Sequence, residues 1–109
     1  MEASGSTALS VLPQSDGRRV VLRLVGDLDI ATGGQLFDAA AELSPPEGGH
    51  VCADLSDLHF VDAAGLAALH AVHSLVVSRG GRLVVVGAQP MTRRLLAITG
   101  LDSVLEITS

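Results

Sequence analysis

Few residues in this chain carry chemistry. Asp62 stands immediately before Ala63-Ala64-Gly65-Leu66 and a run rich in alanine and leucine, a pattern that predicts a helix capped by a carboxylate. The first amides of such a helix have no partners and carry partial positive charge, so its start is suited to holding or sensing an anion. His70 and His73 lie three residues apart and share a face of the same helix. That spacing can begin a metal site, but neither His50 nor His59 completes a ligand pattern, and solvated or partner-contacting histidines are expected. Cys52 is the single cysteine. It sits in an apolar strand pattern and reads as an inert core thiol. With no second cysteine there is no internal disulfide, which suits a reducing cytoplasm.

The glycine pairs Gly33-Gly34, Gly48-Gly49 and Gly80-Gly81 invite a phosphate-loop reading that fails on detail. No Gly-Lys-Ser/Thr occurs in a chain without lysine, and no Gly-x-Gly-x-x-Gly follows a strand. A Gly-x-Ser-x-Gly nucleophile elbow is also missing. No cofactor, metal or catalytic residue is specified, and an enzyme is not expected.

Composition narrows the partners. The chain has 109 residues, enough for a single domain with one core. Its hydrophobic share of 48% is almost all Ala, Val, Leu and Ile, with no Trp or Tyr and two Phe. Such a set packs helices closely on a sheet and offers no aromatic platform for single-stranded nucleic acid. A net charge of −5 opposes attraction to phosphate backbones. The seven basic residues are all arginines and form no stripe. No signal pattern opens the chain, and no apolar run reaches the roughly 20 residues needed to span a bilayer. The cytoplasm is the expected location.

The elements that position these residues follow from periodicity and punctuation. Residues 1–7 are expected to be frayed. Ala8–Leu12 is a short strand stopped by Pro13. Ser15-Asp16-Gly17 is a turn, and Val20–Leu28 is the second strand, paired antiparallel with the first. Gly26-Asp27-Leu28-Asp29 closes it. Thr32 and Gln35 have capping-box spacing, and Leu36, Phe37, Ala40 and Leu43 form a helical stripe. Ser44–Gly49 is an exposed loop. Val51–Leu55 is the third strand and Ser56–Val61 a loop. The helix after Asp62 buries Leu66, Leu69, Val72 and Val76 and ends at Gly80, in a left-handed cap. Leu83–Val86 reads as a strand buried on both faces. Pro90 opens a helix whose apolar side is Met91, Leu95, Leu96 and Ile98, Gly100 stops it, and Val104–Ile107 is a last strand. The order is β-β-α-β-α-β-α-β, with strand–helix–strand crossovers of one hand after the first hairpin.

The segment Asp-Leu-Ser-Asp-Leu-His-Phe-Val-Asp-Ala-Ala-Gly-Leu, residues 54–66, resembles the central motif of the STAS domain, the fold of bacterial anti-sigma factor antagonists. Gly26, Asp29 and Thr32 resemble the family's Gly-x-x-Asp-x-x-Thr element, and Thr99-Gly100-Leu101 its Thr-Gly-Leu ending. The resemblance covers nearly the whole chain. It implies an α/β fold, a STAS-like β-α superhelix with a mixed, mostly parallel sheet and helices on one face. The family's central motif usually reads Asp-Ser-Ser-Gly-Leu, and a partner kinase phosphorylates the second serine. Here Asp62, Gly65 and Leu66 match, while Ala63 and Ala64 replace both serines.

By this resemblance Asp62, Ala63, Ala64, Gly65 and Leu66 form the centre of a protein-binding surface, with Asp27, Asp29 and Thr32 at its edge and Leu66 shared with the core. The implied partner is an anti-sigma factor, often a histidine-kinase-like ATPase in this family. The family phosphorylation position is lost at Ala64, and Ser56, Thr32 and Thr92 are the hydroxyls to which regulation could have moved, Ser56 being a weak candidate. The alternative role is a scaffold subunit of a larger assembly, such as a lipid-transport ATPase complex or a stress-sensing particle.

Overall fold

A computed structural model describes residues 8–16, 19–43 and 49–108. The expected frayed start, the tip of the first turn and most of the Ser44–Gly49 loop lie outside the described residues. Five strands lie side by side in chain order: β1 (Leu9–Asp16), β2 (Arg19–Leu28), β3 (His50–Val61), β4 (Arg82–Val86) and β5 (Glu106–Ile107). β1 and β2 are antiparallel and every later pair is parallel. The crossovers carry α1 (Gly33–Ala41), α2 (Ala63–Ser78) and α3 (Pro90–Thr99), and a short 3₁₀ turn at Leu101–Ser103 leads into β5. Right-handed crossovers between successive neighbours place all three helices on one face. Under them lie the paired rows Val20, Val51, Leu83 and Leu22, Ala53, Val85, all buried. Leu36, Leu66, Leu69, Val72 and Leu96 close this core from the helix side, each fully buried.

Six expectations about the elements need correction. β1 does not stop at Pro13 but runs through it to Asp16, with Pro13 opposite Leu22. β1 is an edge strand, where a residue without an N–H need not break a ladder bond. Ser56–Val61 is not a loop but the second half of β3. The register against β2 slips between Arg23 and Val25 and again between Gly26 and Asp27, each time with one extra residue in β3. These bulges stretch the helix-facing positions from Val51, Ala53 and Leu55 to Leu58 and then Val61, so strict alternation vanishes although pairing continues. Arg23 Nε donates to Asp57 across the first bulge at 2.7 Å.

β4 is not buried on both faces. Leu83 and Val85 are buried, whereas Val84 and Val86 are half-exposed on the face without helices. In α3 the core side is Thr92 and Leu96, while Met91 and Ile98 point outward. Phe37 of α1 is also exposed, unlike Leu36 and Ala40, and Val104 lies outside the two-residue β5. Gly80 has φ +80°, the left-handed geometry expected after α2.

Candidate functional site

The carboxyl ends of β2 and β3 meet at the start of α2. Asp27 pairs with Phe60 and Leu28 with Val61, and the Asp62 amide donates to the Leu28 carbonyl at 3.3 Å. Asp62 has extended backbone (φ −120°, ψ −177°), and its Oδ1 accepts from the Gly65 amide at 2.8 Å. This is the cap expected of a short carboxylate whose backbone has not yet turned helical. Ala63, first in the helix, is exposed and Ala64 is half-buried. Gly65 is buried, and a Cβ there would overlap the Leu28 carbonyl group. Leu66 is fully buried, so its side chain belongs to the core. The helix tip thus presents a methyl group beside a carboxylate, held in place by a glycine contact beneath.

The neighbouring loop after β2 is ordered by its own side chains. Asp29 Oδ1 accepts from the amides of Ala31 at 2.9 Å and Thr32 at 3.2 Å. Thr32 Oγ1 accepts from the Asp29 amide and donates to the Asp27 carbonyl, both at 2.9 Å. The expected capping box does not form. Thr32 has a helical ψ of −10°, its side chain makes no cap bond to α1, and the Gln35 amide donates instead to the Leu9 carbonyl. Thr32 is 9% exposed and holds the loop closed. Asp27 and Asp29 are half-exposed at the end of β2, whose last residues pair with the β3 residues that lead into Asp62. Ile30, between the ordered residues of this loop, is 83% exposed.

An apolar groove adjoins the tip. Its volume is about 520 Å³, and Phe60, Val61, Asp62 and Ala63 form one wall, with Met91, Leu95 and Ile98 of α3 on the other. Phe60, Met91 and Ile98 are 51%, 74% and 73% exposed. Neither Ile30 nor this groove follows from the sequence reading. The bulge hides Phe60 from the alternation pattern, and the sequence places Met91 and Ile98 on one apolar side with Leu95 and Leu96. One signal was present: Met91, Leu95 and Ile98 repeat at i, i+4 and i+7, a stripe separate from Thr92 and Leu96.

The other candidates play no part in this site. His70 and His73 stack with ring centroids 6.2 Å apart, and no group of three or more metal-ligating side chains exists among the described residues. Cys52 is buried on the face away from the helices, and burial raises its thiol pKa, leaving it a poor nucleophile. Ser56 is exposed within β3, and its hydroxyl donates to Asp54 Oδ1 at 2.7 Å. Thr92 is buried. No helix among the described residues is long and apolar enough to cross a membrane.

Comparison with known proteins supplies the context for this geometry. A family model described as "Mlab, STAS domain" matches residues 11–106. An anti-sigma F factor antagonist of Paenibacillus polymyxa is 30% identical over 91 residues, spanning 81% of this chain and 76% of that protein. The crystal structure of an anti-sigma factor antagonist from Mycobacterium paratuberculosis superposes with a TM-score of 0.78 at 28% identity, covering 98% of this chain and 89% of the other. A STAS domain protein from Planctomyces limnophilus shares the fold, with a TM-score of 0.79 at 15% identity over 91% and 89% of the two chains.

Proposed function

The chain belongs to the STAS domain family, and from that premise we propose that it is an anti-sigma factor antagonist acting in the cytoplasm. It binds an anti-sigma factor of the histidine-kinase-like ATPase type and thereby frees a sigma factor for transcription. The action is occupancy, not catalysis. Ala63 and Ala64 with Asp62 form the contact centre, and Asp27 and Asp29 its acidic edge. Gly65, Leu66 and Thr32 serve from below by fixing the helix tip and the loop. The observation that carries this reading is the tip of α2: accessible at Ala63 and partly at Ala64, capped by Asp62 and free of hydroxyls at its first two positions.

That tip also suggests how the protein is regulated. A phosphate on a side chain at position 64 would add about 1.5–2 negative charges beside Asp62, Asp27 and Asp29. Charge, bulk and hydration would then oppose docking. Ala64 has no oxygen to accept a phosphate, and its methyl group mimics the unmodified state. The surface is permanently competent to bind.

The test is to purify the chain with its partners from its own cells, identify them, and measure sigma release in a transcription assay with purified components. Recovery of an anti-sigma factor and release of sigma are expected, with no phosphate on the chain after incubation with the partner and ATP. Recovery of a transporter ATPase in place of an anti-sigma factor would establish the scaffold role instead. Stoichiometric phosphate on Ser56 would overturn permanent competence.

A further inference from the structure

We propose that the groove between the end of β3 and α3 receives an amphipathic helix of the anti-sigma partner, so that docking extends from the α2 tip along α3. The inference rests on the function proposed above and names a second half of the same interface.

Three observations converge. First, α3 has two apolar sides. Thr92 and Leu96 face the core, while Met91, Leu95 and Ile98 form an i, i+4, i+7 row along the groove. Two of the three residues in that row are largely exposed. A row with this spacing is what a helix presents to another helix lying alongside it. Across the groove stands Phe60, half-exposed because the second bulge of β3 turns it away from the core.

Second, the groove is continuous with the docking centre. Asp62 and Ala63 belong to both. A partner seated on Ala63 already covers one wall, and a helix continuing from that point would bury the apolar row without a separate binding event.

Third, charge at the rim specifies the occupant. Arg94 lies on the same side of α3, three residues after Met91, and lines the groove. Arg23 and Arg82 are held by carboxylates, and Arg79 and Arg93 by backbone carbonyls. Arg94 has no hydrogen bond or ion pair among the described residues. It would pair with an acidic side chain flanking the partner's apolar positions. Asp62 at the other end favours a basic or uncharged group there.

The experiment uses the full chain and the purified kinase-like anti-sigma factors of the same cell, with affinities from calorimetry. M91E and I98E alter exposed side chains, so their melting temperatures should match the parent. The double variant is expected to bind at least about 30-fold more weakly, as for the loss of two apolar anchors. R94E alone should weaken binding about tenfold and reduce its salt dependence. A photo-crosslinker at position 98 should attach to a helical, acid-bearing segment of the partner. Unchanged affinity of M91E/I98E, with binding abolished by A64D, would overturn the groove while leaving the proposed function intact. If M91E/I98E instead converts a dimer of this chain to a monomer with partner affinity unchanged, a second copy fills the groove and the inference fails. If the parent chain binds none of these anti-sigma factors, both readings fail together.

Discussion

Gly65 lies so close to Leu28 that a Cβ on Gly65 would sit 2.7 Å from the Leu28 carbonyl carbon and overlap its oxygen. That contact fixes the height of the α2 tip above the end of β2, with the Asp62 amide bonded to the same carbonyl. Gly65→Ala must therefore displace backbone, not a flexible side chain. We expect a loss of about 1–3 kcal/mol, the usual cost of overpacking, and weaker partner binding from a shifted tip. Gly34→Ala is the control. Nothing lies within 4 Å of a Cβ at this exposed helical site, and a gain of about 0.5–1 kcal/mol is expected. Urea denaturation of both variants measures the contrast.

Asp62 stabilises the helix as its cap as well as contributing charge. Asp62→Ala removes the acceptor for the Gly65 amide and should cost about 1 kcal/mol. Asp62→Asn keeps a capping oxygen and should retain most of that stability. If the carboxylate also meets the partner, the asparagine variant will lose affinity while keeping its melting temperature.

Substitutions at Ala64 separate charge from shape. Ala64→Asp places a carboxylate in the first turn, where the helix dipole favours it, so the fold should hold. Partner affinity should fall by at least about tenfold through repulsion and desolvation. Ala64→Ser should bind like the parent until incubation with the partner and ATP, after which phosphate should appear at residue 64 and binding should decline. Mass spectrometry and calorimetry on the same sample check both.

Arg82 and Glu106 tie β5 to β4 through a two-pronged ion pair. Hydrogen bonding from Arg82 holds the Glu106 carboxyl below its ordinary pKa. A depressed carboxyl contributes stability above its unfolded pKa and loses that contribution as pH falls through its folded value. The pair should therefore fail below the ordinary carboxylate range. Both groups are exposed, so the effect is local and screened by salt. Arg82→Gln should shift the Glu106 titration upward by NMR and flatten the acid limb of stability.

Much of this fold is legible in the residues because local and global preferences agree. The Asp62 cap, the buried Leu66, Leu69, Val72 and Val76 row, and the left-handed Gly80 follow from spacing alone. The misreadings have specific causes. β3 hides its second half because two extra residues break the alternation that marks a strand. Pro13 reads as a terminator only when the strand's place at the sheet edge is unknown. Thr32 and Gln35 have the spacing of a capping box, but contacts to Asp27, Asp29 and Leu9 compete for both side chains. Met91 and Ile98 have core-like hydrophobicity, and only the packing of α3 through Thr92 and Leu96 reveals that they face outward.

Strand order that follows chain order has a bearing on synthesis at the ribosome. Each new strand is laid beside the one just completed, so no gap waits for a segment made later. The Leu28 carbonyl, the glycine that rests on it and the aspartate that caps the helix have all been synthesised before β4 is made. The recognition tip is thus complete in sequence before the groove wall supplied by α3 is translated.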